Sequence, residues 1–207
     1  APTTTSRQVT GLWVVGTAAN PVVYVSSSDF RIGGPTGDLG LDTNSGMVTR
    51  LTWIGANAPN QTNFAQVTNT QVWDKVDIVR GLPRSEENHA NNGLATFSKD
   101  GRTYLLVAVG GSTNAGGPSQ NFTKKTEFAL SAAVISIDLT AIEAMPIQGS
   151  GVNKFIYDLP TVDDPTRPNV NGITDPNAPG YNGIDVGDPF GGNDGLNQAK
   201  IVPGGPV

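Results

Sequence analysis

"GLATFSKDGRTYLLVAVGG", residues 93–111, is the stretch whose reading decides the fold. It opens on Gly-Leu, runs through a turn and enters a β run led by Tyr104-Leu105. "GLWVVGTAANPVVYVSSSD", residues 11–29, follows the same plan, with its β run led by Tyr24-Val25. After a polar loop each copy is followed by a second alternating run, "SGMVTRLTW" (45–53) and "SAAVISIDL" (131–139). Alternation of apolar and polar residues with period two, rich in β-branched side chains, is a strand signal. A third run closes each copy on Leu-Pro, "VDIVRGLP" (76–83) and "KFIYDLP" (154–160).

Two copies of one plan, starting 82 residues apart at Gly11 and Gly93, make an internal repeat. The spacing is long for a compact four-stranded propeller blade and fits one with extended loops. The expected fold class is therefore all-β, part of a β-propeller with two to three blades. Blade-like units are placed at about 9–83 and 91–160. The one helix-tolerant stretch, "LTAIEAMPIQ" (139–148), is short and interrupted by Pro146. Residues 161–199 are dense in Pro, Gly, Asn and Asp and read as a long loop, after which "AKIVPGGPV" restarts a β-like run. A propeller removes its exposed edges by closing a ring of roughly four to eight blades. Two repeats cannot close, so the remaining blades are expected on another chain or a missing segment.

Composition agrees with many short strands. The chain of 207 residues has 26 Gly and 15 Pro, with 15% charged and 37% hydrophobic residues. Frequent turns and short Val/Ile/Leu/Tyr runs argue against both long polar helices and disorder. The net charge of -5 offers no basic face for nucleic acid or an anionic membrane. No apolar run approaches the ~20 residues that span a bilayer. Absence of cysteine excludes disulfides, thiolate zinc sites and thiol catalysis. The chain begins at Ala1 with the Thr/Ser-rich "APTTTSRQ" and is read as a processed piece of a secreted or periplasmic polypeptide.

The single histidine, His89, stands in "GLPRSEENHANNGL" (81–94), a loop between two strands. Histidine is the side chain whose ordinary titration lies near neutrality, so it suits removal of a proton while a hydride departs. A loop histidine satisfied by hydrogen bonds, without chemistry, is the other reading of the same residue.

At these positions the chain resembles the soluble quinoprotein glucose/sorbosone dehydrogenases, six-bladed β-propellers dependent on pyrroloquinoline quinone. The resemblance rests on Gly81-Leu82-Pro83, Ser85, His89, Leu94, Asp100-Gly101 and Tyr104. It extends to a bacterial secreted branch through "GGSTNAGGPS" (110–119) and "NVNGITDPNAPGYNGIDVGDPFGGNDGLNQA" (169–199). What it implies is a catalytic role for His89, as the general base that takes the C1 hydroxyl proton of an aldose while hydride passes to the quinone. Two departures accompany it. The family's acidic partner of the histidine falls at Gly111 here, which predicts an imidazole whose tautomer is less well fixed. The quinone-binding arginine lies in a later blade, beyond Val207, so this chain alone is not expected to hold the cofactor.

Asp175, Asp185, Asp188 and Asp194, with Asn177, Asn182 and Asn193, fall in a stretch from 168 to 199 without Lys or Arg. Oxygen ligands on a glycine-rich loop suit Ca²⁺, which takes about six to eight of them. Asp185, Asp188 and Asp194 are the calcium-ligand candidates, although the spacing is not that of an EF-hand and Asp and Asn also serve as turn formers. "DLGLDTNSG" (38–46) reads as a hairpin loop, and "GGSTNAGGPS" lacks the Lys-Ser/Thr of a phosphate loop. Asn60 and Asn121 begin formal glycosylation sequons, and Trp13, Trp53 and Trp73 suit either sugar stacking or the core. Two functions stand side by side: part of a sugar-oxidising quinoprotein propeller, or a non-catalytic propeller for carbohydrate binding, adhesion or extracellular assembly.

Overall fold

A computed structural model describes residues 7–30, 45–54, 73–84, 89–111, 127, 129–159, 172–173, 178–180 and 201–207. The described residues are mostly strand, and the protein is all-β. Four strands, β1 (Arg7–Gly16), β2 (Pro21–Asp29), β3 (Gly46–Trp53) and β4 (Trp73–Leu82), form an antiparallel meander. Three more, β5 (Asn91–Lys99), β6 (Arg102–Val109) and β7 (Ala133–Asp138), form a second. These are the runs the repeat predicts. The turn between β5 and β6 is Asp100-Gly101, both at positive φ (51° and 75°), the dipeptide that a tight hairpin favours.

The last strand, β8 (Phe155–Asp158), departs from the repeat. It does not join β5–β7 but pairs in parallel with β4, extending the first sheet to the order β1-β2-β3-β4-β8. Arg80 explains the preference: its guanidinium pairs with Asp158 and lies 3.7 Å from the centre of the Phe155 ring. Burial raises the Asp158 carboxyl above its ordinary range, and the Arg80 charge opposes that rise.

Alternation decides what each strand buries. On β6, Leu105, Val107 and Val109 face inward, and on β7 so do Ile135 and Ile137. They meet Val48, Val76, Ile78 and Val79 of the first sheet in one apolar cluster, closed by Leu139, Ile142, Ile156 and Leu159. Each fully buried aliphatic side chain in it contributes roughly 1.5–3 kcal/mol by burial. The helix-tolerant stretch yields only α1 (Leu139–Glu143), capped by Asp138, whose carboxylate accepts from the Ala141 amide at 3.0 Å. Residues 201–207 form turns rather than the expected β-like run, stitched to β7 where the Asp138 amide donates to the Pro206 carbonyl.

Asp138 also accepts from Arg102 Nε at 2.7 Å. Partial burial pushes its carboxyl up, but the Ala141 and Arg102 contacts outweigh that effect and hold it below the ordinary range. A depressed folded value gives stability that is present above the unfolded value and lost as pH falls through the folded one. Asp138→Ala should therefore cost about 1 kcal/mol at neutral pH, as loss of a helix cap usually does. Urea denaturation should show the gap to wild type narrowing below about pH 4.

The sheets are joined by a polar seam as well as by the core. Thr10, at an irregularity in the β1–β2 register, donates to the Asn91 carbonyl, and Ser26 Oγ donates to the Asn92 carbonyl at 2.6 Å. Trp13 Nε1 donates to Thr96 Oγ1 at 2.9 Å. β1 and β5 therefore lie side by side.

Candidate functional site

β5 begins at this seam, and His89 stands two residues before it. The approach to His89 is anchored from below. Gly81, at φ 84°, turns the end of β4, and Arg84 then buries its side chain almost completely, Nε donating to the Asp29 carbonyl at 3.1 Å. Asn91, fully buried, donates through Nδ2 to the Met47 carbonyl at 2.9 Å. The segment entering β5 is thus tied to the ends of β2 and β3. Each of these buried polar groups would be costly to leave unmatched, about 1–3 kcal/mol.

His89 itself is half-buried against the end of β6. Gly110 meets it so closely that a Cβ there would lie 2.6 Å from the His89 Cβ, a distance no side chain tolerates. The backbones are fastened in sequence: the Gly110 amide donates to the Ala90 carbonyl at 2.9 Å, and the Ala132 amide to the Gly110 carbonyl at 3.1 Å. His89 Nδ1 lies 3.0 Å from the Gly111 carbonyl oxygen. A carbonyl only accepts, so Nδ1 carries hydrogen, and in the neutral ring Nε2 carries the lone pair.

This corrects the expectation drawn from the missing acid at Gly111. The tautomer is set by the backbone of Gly111, not by a side chain at that position. Nor is the site without a carboxylate. Glu127, from the segment before β7, places Oε1 2.7 Å from where a Gly111 Cβ would stand, and its Oε2 accepts from Ser131 Oγ at 2.6 Å. An aspartate introduced at position 111 would have to displace that carboxylate. Sequence reasoning missed Glu127 because it is 38 residues from His89 and lies in no motif. The turn that delivers Ser131 is strained, with Leu130 at φ 67° and Ala132 at φ 50°. Such non-glycine residues cost about 1–3 kcal/mol each, and strain of this kind concentrates at functional sites.

The remaining candidates lie elsewhere. Asp185, Asp188 and Asp194, with Asp175, Asn177, Asn182 and Asn193, fall outside the described residues, as do Asn60 and Asn121. Among the described residues no group of three His, Asp or Glu side chains is placed to hold a metal ion. No helix among them is long and apolar enough to cross a membrane. Trp13 is committed to Thr96, and Trp53 packs edge-on against Trp73 at 5.2 Å. No family model, curated protein or solved structure matches the chain.

Proposed function

We propose that the chain is part of a quinone-dependent, sugar dehydrogenase-like propeller, in which His89 is the general base toward an aldose hydroxyl. The observation that carries the reading is the bond from His89 Nδ1 to the Gly111 carbonyl. It leaves Nε2 as the basic nitrogen on a half-buried ring oriented by that bond, which is what proton removal from a hydroxyl requires. The four-stranded antiparallel meander β1–β4 supports the blade reading, as does the side-by-side packing of β1 and β5, the first strands of the two units. Pyrroloquinoline quinone, when bound, would supply hydride acceptance. Its anionic carboxylates call for cations; Arg84 is buried in its contact with Asp29, and the resemblance puts the quinone-binding arginine in a later blade.

That rest is proposed to lie against β1. This edge strand carries Val9, Leu12 and Val14, all more than half exposed, a row that water alone does not favour. The same row is what favours the second reading, a non-catalytic propeller used in extracellular assembly.

The test is to assemble the full ring and titrate it with pyrroloquinoline quinone, following quinone absorbance and melting temperature. Saturable binding with a raised melting temperature is expected, because a ligand of the native state stabilises it. A calcium arm belongs to the same experiment: EDTA should lower the melting temperature, and Asp188→Ala with Asp194→Ala should remove that response. A ring that binds no quinone leaves the assembly reading in place of the enzymatic one. An EDTA-insensitive ring removes calcium.

A further inference from the structure

Glu127 belongs to no strand, is exposed, and still has its carboxylate placed from two directions. Ser131, itself buried, holds Oε2 at 2.6 Å, and Oε1 fills the space in which a side chain on Gly111 would begin. The strained turn through Leu130 and Ala132 serves both ends of this arrangement. It presents the Ser131 hydroxyl to Glu127, and it fastens the Ala132 amide to the Gly110 carbonyl. Contacts therefore run without interruption from Ser131 to Glu127, to Gly111, and to His89 Nδ1.

Two consecutive glycines are a weak support for a catalytic ring. Glycine reaches both signs of φ with little penalty, so the peptide after Gly111 has no intrinsic reason to keep its carbonyl toward His89. A group packed against the bare Cα of Gly111 supplies that reason.

We infer that Glu127 is a positioning residue for His89. Its carboxylate, braced by Ser131, blocks rotation of the Gly111 peptide and so keeps the carbonyl that selects the Nδ1–H tautomer. The inference rests on the reading of His89 as a base, but it is tested without quinone or sugar.

With one histidine in the chain, the imidazole nitrogen resonances are assigned without ambiguity. The neutral ring of the 207-residue chain should show two well-separated ¹⁵N signals, one protonated and one lone-pair nitrogen. Glu127→Ala should move the two signals toward each other, as the ring divides between tautomers. Glu127→Gln, which keeps the volume and an oxygen for Ser131, should restore most of the separation. An unchanged separation in Glu127→Ala overturns the inference, and so does a Gln variant as perturbed as the Ala one. Should Glu127→Ala lose its folded backbone spectrum, Ser131→Ala takes its place, and an unchanged separation there is equally fatal. A ring that fails to bind quinone would sink the dehydrogenase reading and leave these signals where they are.

Discussion

His89→Ala should lower aldose-dependent quinone reduction by the assembled ring about 10²- to 10⁴-fold, the usual contribution of a positioned general base. The size follows from what is removed. Nε2 is the basic nitrogen only because Nδ1 is committed to the Gly111 carbonyl, and alanine abolishes both features together. The fold should survive, because His89 is only half-buried and sits outside the apolar cluster. His89→Gln separates orientation from basicity: its amide can still donate toward Gly111 but cannot take a proton. It should be as impaired as the alanine variant, with an unchanged melting temperature. Full turnover in either variant would reduce His89 to a hydrogen-bonded loop residue.

Strands were legible in the sequence wherever apolar residues alternated: Leu105-Val107-Val109 and Ile135-Ile137 each announce a buried face, and both bury it. The destination of β8 was not legible. "KFIYDLP" matches "VDIVRGLP" in its ending, but what places it beside β4 is Arg80 meeting Asp158 and Phe155, a contact across some 75 residues that no local pattern encodes. The site divides in the same way. His89 stood out as the one histidine. The group that fixes its tautomer is a backbone carbonyl, identical at every position, and the nearby carboxylate comes from another segment, bonded by Ser131 on a turn with two residues at positive φ. Side-chain identity predicts who is present, and backbone geometry decides whom they meet.

Gly11 and Gly93 occupy equivalent places in the repeat, each the glycine of an opening Gly-Leu, and the packing makes them opposites. A Cβ on Gly11 would stand 2.1 Å from the Asn92 carbonyl oxygen and 2.6 Å from Ser26 Oγ, whereas one on Gly93 meets nothing within 4 Å among the described residues. The first obstacle is backbone, which cannot swing aside as the end of a side chain can. β1 must therefore withdraw from β5, and the Ser26–Asn92 and Thr10–Asn91 bonds of the seam stretch or break with it. Gly11→Ala should cost about 3 kcal/mol, the upper end of ordinary overpacking. In a chain of this length that lowers the melting temperature by on the order of 10 °C. Gly93→Ala should leave it within about a degree or two, since alanine on an open strand surface changes stability by only tenths of a kcal/mol. Thermal melts of the two variants beside wild type decide the matter. If they fall by equal amounts, the close approach of β1 to β5 at Gly11 is not what joins the two sheets. If only Gly11→Ala falls, the seam is confirmed at Gly11, where β1 leaves no room for a side chain against β5, the strand that follows His89.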